Sequence, residues 1–170
     1  TVTLQADTFR SGALEYAGVP SLRSPFFSIV TSRSATFGGN FLARWEHTHR
    51  KGGLSTFQGY FDSYSRGGVR SDLTVNTVDM DYQYRHPAWG RHEFGVGFGV
   101  RVLRDELRPL TFMTFGRRRQ TYGIEQFTLQ DDITLAPNRV VISLAARVER
   151  NTFTGLSTQP TVRLLYTPTS

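Results

Sequence analysis

The stretch Glu93-Phe94-Gly95-Val96-Gly97-Phe98-Gly99-Val100-Arg101-Val102 decides the fold. Phe94, Val96, Phe98, Val100 and Val102 recur at every second position, and Glu93, Gly95, Gly97, Gly99 and Arg101 fill the positions between. A period of two is that of an extended strand, whose successive side chains point to opposite faces. One face of this strand is continuously apolar. The other is small or charged, which suits a surface that lines a wet interior or lets another group come close.

The same rhythm extends outward in both directions. In Val78–Arg85, Val78, Met80, Tyr82 and Tyr84 oppose Asp79, Asp81, Gln83 and Arg85. In Val140–Glu149, Val140, Ile142, Leu144, Ala146 and Val148 oppose Val141, Ser143, Ala145, Arg147 and Glu149. Phe41, Ala43 and Trp45 alternate with Leu42, Arg44 and Glu46, and weaker strands follow at 2–9, 55–63, 125–135 and 160–167. About eight strands result, with almost no helical periodicity. Short connections fall at 49–53, 86–91 and 136–138, rich in the Gly, Pro and Asn of tight turns. Longer ones are expected at about 10–37, 64–72, 103–120 and 150–159. Short turns at one end and long loops at the other are the arrangement of an outer-membrane barrel. The reading is therefore all-β: an antiparallel up-and-down transmembrane β-barrel meander, in a single domain over 1–170.

Composition agrees. Hydrophobic residues make up 38% and aromatics 13% of the 170 residues, yet no apolar run approaches the ~20 a membrane helix needs. Alternation explains both, because only every second residue of a barrel strand meets lipid. The net charge of +6 comes almost wholly from arginine, Lys51 being the sole lysine. The arginines are scattered rather than gathered on one face, so a nucleic-acid partner is not expected. The absence of cysteine is compatible with an oxidising compartment. Thr1–Arg10 has neither the basic nor the apolar region of a signal peptide, so an exported chain would be a mature form or an internal piece.

A soluble β-sandwich also alternates. Its strands, however, average about 5–6 residues, whereas several here reach the ~9–11 that cross a bilayer at a tilt. By parity Arg44, Glu46, Asp79, Asp81, Arg85, Arg101, Asp132, Arg147, Glu149 and Arg163 all point inward. In a dry core each would cost several kcal/mol unless paired, and in a wet lumen little. Trp45, Tyr60, Tyr64, Tyr84, Trp89 and Tyr166 lie near strand ends, where an interfacial girdle belongs.

Nothing in the pattern supplies a catalytic centre, and the chain is not expected to be an enzyme or to hold a cofactor. His47 and His49 share a face, but Arg50 and Lys51 beside them oppose a cation, so no metal site is expected there. His86 and His92 likewise flank a turn. Gly95, Gly97 and Gly99 are not followed by the helix that a dinucleotide fold requires. Asp131 and Asp132 point to opposite faces of a strand, which is poor geometry for a carboxylate pair.

The last forty residues carry a family resemblance. Gln130, Asp131, Asp132 and Ile133, then Arg147 and Glu149, then Thr154 and Gly155, and finally Gln159, Pro160, Arg163, Leu164, Thr167 and Pro168 fall in an order similar to the barrel of TonB-dependent outer-membrane receptors. The segment 38–48 and the strand 78–85 also look like strands of such barrels. The resemblance implies a bacterial outer-membrane importer of a scarce nutrient such as a ferric siderophore or a corrinoid. Such receptors close about 22 strands around a plug and carry a TonB-contacting box. With about eight strands and neither plug nor box, this chain is expected to be a consecutive stretch of barrel wall, contacting TonB only through regions it lacks. A complete eight-stranded barrel with a structural or adhesive role is the alternative; its ending, Thr-Pro-Thr-Ser, lacks the terminal aromatic usual in such barrels.

Partners implied are membrane lipid, lipopolysaccharide and a small anionic ligand such as a metal chelate. The region 103–120 is expected to be an extracellular loop, with an apolar cluster of Leu110, Phe112, Met113 and Phe115 among its charges. Ligand-contact candidates are Arg117, Arg118, Arg119 and Tyr122 from that loop region, with Arg101 and Arg147 from the inner wall.

Overall fold

Each alternating stretch forms a strand in the computed structural model, which describes residues 1–110 and 114–168. The elements are β1 (Val2–Pro20), β2 (Phe27–Thr48), β3 (Leu54–Gly67), β4 (Ser71–Arg85), β5 (His92–Pro109), β6 (Arg119–Ala136), β7 (Val140–Asn151) and β8 (Gly155–Tyr166). They pair antiparallel in chain order, each with its sequence neighbours, as one eight-stranded sheet. This is the expected meander. Two alternatives fall away: the strands lie in one sheet, not the two of a sandwich, and among the described residues the sheet does not close on itself.

Register places whole rows of like residues side by side. Trp45, Phe57, Tyr82, Phe98, Phe127 and Val148 are successive partners across β2 to β7. Phe41, Phe61, Val78 and Val102 form a second row nearer the other end of the strands. Phe98 keeps 52% of its surface exposed and Met80 likewise 52%, so among the described residues nothing covers this face. The opposite face carries Arg44, Gln58, Asp81, Gly99, Gln126 and Glu149 as one row.

The sheet has almost no core of its own. Ala17 and Val19 are its buried apolar side chains. The exposed area is 12667 Å², about one and a half times the roughly 8,400 Å² expected of a compact monomer of this mass. A single sheet with two open faces accounts for the excess.

The long loops expected at one end prove to be mostly strand. β1 and β2 stay paired from Arg10↔Phe37 to Pro20↔Phe27, leaving only 21–26 as a connection. The others at that end are 68–70, 110–118 and 152–154. The expected loop 103–120 is thus corrected: 103–109 extends β5, 119–120 opens β6, and Phe112 and Met113 lie outside the described residues. The reason lies in the faces. Beyond Val102 the polarity of β4 to β6 inverts: Leu73, Leu103, Leu107 and Tyr122 turn to the inner side, while Asp72, Arg104, Glu106, Arg108 and Arg119 turn to the outer. Backbone pairing continues through the change, but the run of apolar alternate positions does not. The girdle also needs correcting. Tyr60 pairs with Asp79 and Tyr64 with Val75, on the inner face; Trp45, Tyr84 and Tyr166 stay on the outer.

Turns at the opposite end are as short as expected. Gly52 adopts φ 88°, and Asn138 adopts φ 57° between β6 and β7, conformations that these residue types tolerate.

Candidate ligand-facing wall

The inner face of β2 to β7 lines a groove of about 500 Å³. Arg44, Glu46, Asp81, Arg85, Glu93, Asp132 and Arg147 reach it, together with Gln83, Gln126, Thr128 and Gln130. All the charges assigned inward by parity take that side, because register keeps alternate residues of neighbouring strands on one face. Gln126 and Thr128 were not singled out from sequence, and Gln130 only for the family resemblance; the alternation of Phe127 and Leu129 was the signal that could have placed them on the inner face.

Opposite charges are paired at close range. Arg101 Nε donates to Asp79 Oδ2 at 2.7 Å across β4 and β5, where the two residues are direct partners. Arg44 and Glu46 meet at 2.6 Å along β2, and Arg147 and Glu149 at 2.7 Å along β7. Arg85 and Glu93 join β4 to β5 at 3.3 Å. These side chains remain partly exposed, so each pair contributes little to stability, about 0–1 kcal/mol. Their effect is to hold long side chains flat on the wall. Gly99 serves the same end: a Cβ there would lie 2.5 Å from Gln126 Nε2, so the missing side chain is what lets the Gln126 amide lie against the sheet.

The six candidate residues divide into three groups. Arg101 and Arg147 line one groove of about 300 Å³, with Asp79, Gln126 and Glu149. Arg147 Nε is enclosed and has no hydrogen-bond partner among the described residues. Tyr122 also faces inward, its hydroxyl donating to Asp105 Oδ2 at 3.2 Å and close to Gln120, while its ring packs 4.6 Å from that of Phe153. Arg117 and Arg118 are exposed in the 110–118 connection. Arg119 stands apart: it turns outward and meets Glu106 at 3.1 Å, as Arg108 does at 3.0 Å. Hydrogen bonds from Arg119 and then Arg108 hold the Glu106 carboxyl below its ordinary value.

No group of three or more metal-ligating side chains occurs among the described residues. The four connections at the Arg117 end carry Arg23, Arg70, Arg117 and Arg118 and no Asp or Glu.

An up-and-down sheet with one apolar and one charged face defines a barrel-like wall. Among solved structures, the crystal structure of the siderophore receptor PirA from Pseudomonas aeruginosa is similar to it, with a TM-score of 0.68 over 99% of this chain. Identity is 13%, and the match spans 31% of that receptor, so the likeness is one of fold. No protein-family model and no curated protein matches the sequence.

Proposed function

We propose that this chain is a stretch of the barrel wall of a TonB-dependent outer-membrane receptor that imports a scarce, bulky nutrient such as a ferric siderophore or a corrinoid. The observation that carries the reading is the pairing of faces. An outer band of nine residues on β5, Phe94 to Val102, has the ~9–11 residue length that crosses a bilayer, and charge occupies the side behind it.

In this reading the outer face meets lipid and the inner face meets water. The connections at the Arg117 end are extracellular and attract an anionic ligand through Arg117 and Arg118. Tyr122 adds an aromatic surface below them. Arg147 and Arg101, which line one groove, receive the ligand on the wall. The wall itself performs no chemistry. TonB acts through other parts of the receptor, and lipopolysaccharide phosphates meet the outward arginines such as Arg104, Arg108 and Arg119. Dispersion without detergent is the test: a membrane wall aggregates when detergent is withdrawn, and a chain that stays monomeric in plain buffer would defeat the proposal.

A further inference from the structure

At the end where β2 turns into β3 and β4 into β5, the outer face carries a groove of about 610 Å³. His47, His49, Arg50, Lys51, Tyr84 and His86 line it, and no carboxylate does among the described residues. Its rings form a connected series. Trp45 stacks on His47 at 5.5 Å, His47 meets His49 edge-on at 4.8 Å, and His49 meets Tyr84 at 5.7 Å. His49 is anchored by a 2.8 Å hydrogen bond to the buried Ser55, which is also 3.2 Å from the Tyr82 hydroxyl. Gly53 keeps the floor open, since a Cβ there would lie 2.7 Å from the Tyr84 hydroxyl.

A second observation concerns the whole of that end. Its three connections, 49–53, 86–91 and 137–139, carry Arg50, Lys51, Arg91 and Arg139 and no Asp or Glu. Yet Tyr84, at the groove, and His47, stacked on Trp45, adjoin the apolar row of Trp45, Phe57 and Tyr82. A cationic, donor-rich pocket therefore opens directly onto an apolar surface.

We infer that this groove binds the headgroup of an anionic phospholipid of the phosphatidylglycerol type. Arg50, Lys51 and imidazole N–H groups donate to the phosphodiester oxygens, and the acyl chains run down the face formed by Trp45, Phe57 and Tyr82. A zwitterionic headgroup brings its own ammonium to a pocket that has no acid to receive it. The inference rests on the membrane reading above and adds to it a selective lipid at one rim.

The experiment titrates the full-length protein, purified in detergent, with phosphatidylglycerol and with phosphatidylcholine, counting bound lipid by native mass spectrometry. Each basic side chain at an anionic surface is expected to contribute roughly fivefold, so the Arg50 and Lys51 pair gives a preference on the order of twentyfold for phosphatidylglycerol. The double variant Arg50→Ser/Lys51→Ser, altered only in an exposed turn, should lose that preference, and Arg50→Lys should keep most of it. Equal binding of the two lipids, or a preference unchanged in the double variant, overturns the headgroup site while leaving the membrane reading intact. Binding of neither lipid overturns both. Displacement of phosphatidylglycerol by an equal concentration of inorganic phosphate would show that the groove takes free phosphate, and the lipid assignment would fall.

Discussion

His92 Nδ1 lies 2.8 Å from Asp131 Oδ2, and both side chains belong to the outer, apolar face of the sheet. Around them on that face stand Phe94, Leu129, Ile133 and Leu144. Asp131 Oδ1 has no partner among the described residues, so His92 is what compensates this carboxylate. Removing one partner of such a pair strands the other, and the loss is larger where water reaches the remaining group less: the Asp131 side chain is 21% exposed and that of His92 43%. His92→Leu is therefore expected to destabilise the fold by about 1–3 kcal/mol. Asp131→Leu should cost less than about 1 kcal/mol. Urea unfolding of the detergent- or lipid-bound protein measures both, and a costlier Asp131 variant would refute the asymmetry.

Phe98 and Gly97 test the assignment of faces. Phe98 projects from the centre of the aromatic row, and Gly97 projects into the groove on the other side. If the outer face meets lipid as proposed, Phe98→Arg should cost about 2–4 kcal/mol. Gly97→Ser should cost far less, because a Cβ there meets nothing nearer than 3.7 Å. Equal losses at the two positions would mean that the faces are not lipid and water.

The eight strands were legible because apolar residues at alternate positions make a face, and Phe94 to Val102 do so without a break. The ends of the strands were not legible, and Val102-Leu103 shows why. Two apolar neighbours in sequence must point to opposite faces, Val102 outward and Leu103 inward, so a period-two pattern seems to stop there. The ladder in fact continues to Pro109, held by backbone bonds that leave no trace in side-chain type. Inward wall charges such as Asp79 and Arg101 could be placed by parity alone. Their partnership could not, since it depends on register between strands 22 residues apart in the chain. Arg119 illustrates the same gap: it follows Arg117 and Arg118 in sequence, but its place at the start of β6 turns it to Glu106.

Glu106 links Arg108 and Arg119 at the end of the sheet beyond the apolar band. Hydrogen bonds from Arg119 and Arg108 lower its carboxyl below the 4.5 ordinary for a glutamate. A lowered folded value means that the unfolded chain takes up the proton first. The contribution to stability is thus complete above about pH 4.5 and fades as the pH falls through the folded value. Amide protection factors at Glu106 to Arg108 and at Arg119, taken against the intrinsic exchange rate at each pH, are expected to fall below that pH. In Glu106→Gln this acid-dependent loss of protection should vanish, and its persistence would assign the effect to another group.

Protease access checks the corrected limits of the β5–β6 connection. Trypsin added to intact cells displaying the protein should cut after Arg117, which is exposed and outside the ladder, more readily than after Arg118, whose carbonyl accepts from Leu107 N at 2.8 Å. Arg104 and Arg108 are paired with Asn76 and Asp72 within it and should be spared. Cleavage at Arg104 with Arg117 intact would restore the longer loop, and full protection would place this end of the sheet inside the cell.

The last expectation concerns ligand capture, and it separates three adjacent arginines by where they point. Arg117 and Arg118 stand in a connection at an end whose other connections add Arg23 and Arg70 and no acid. Such a concentration of one sign raises the local concentration of an anionic ligand and its rate of arrival, an effect that salt suppresses. Arg119 is neutralised by Glu106 on the outward side and should contribute little. On the receptor reading proposed above, Arg117→Ser/Arg118→Ser in the full-length protein is expected to slow ligand association roughly tenfold at low ionic strength, with much less difference at high salt. Arg119→Ser should leave association within about twofold of the parent, since an exposed pair carries little net effect. Uptake of a ferric siderophore, with receptor abundance in the membrane checked in parallel, is the measurement. If the double variant takes up ligand as fast as the parent, the proposed capture role of these two arginines falls. Capture would then have to come from the wall, where Arg101 and Arg147 line one groove.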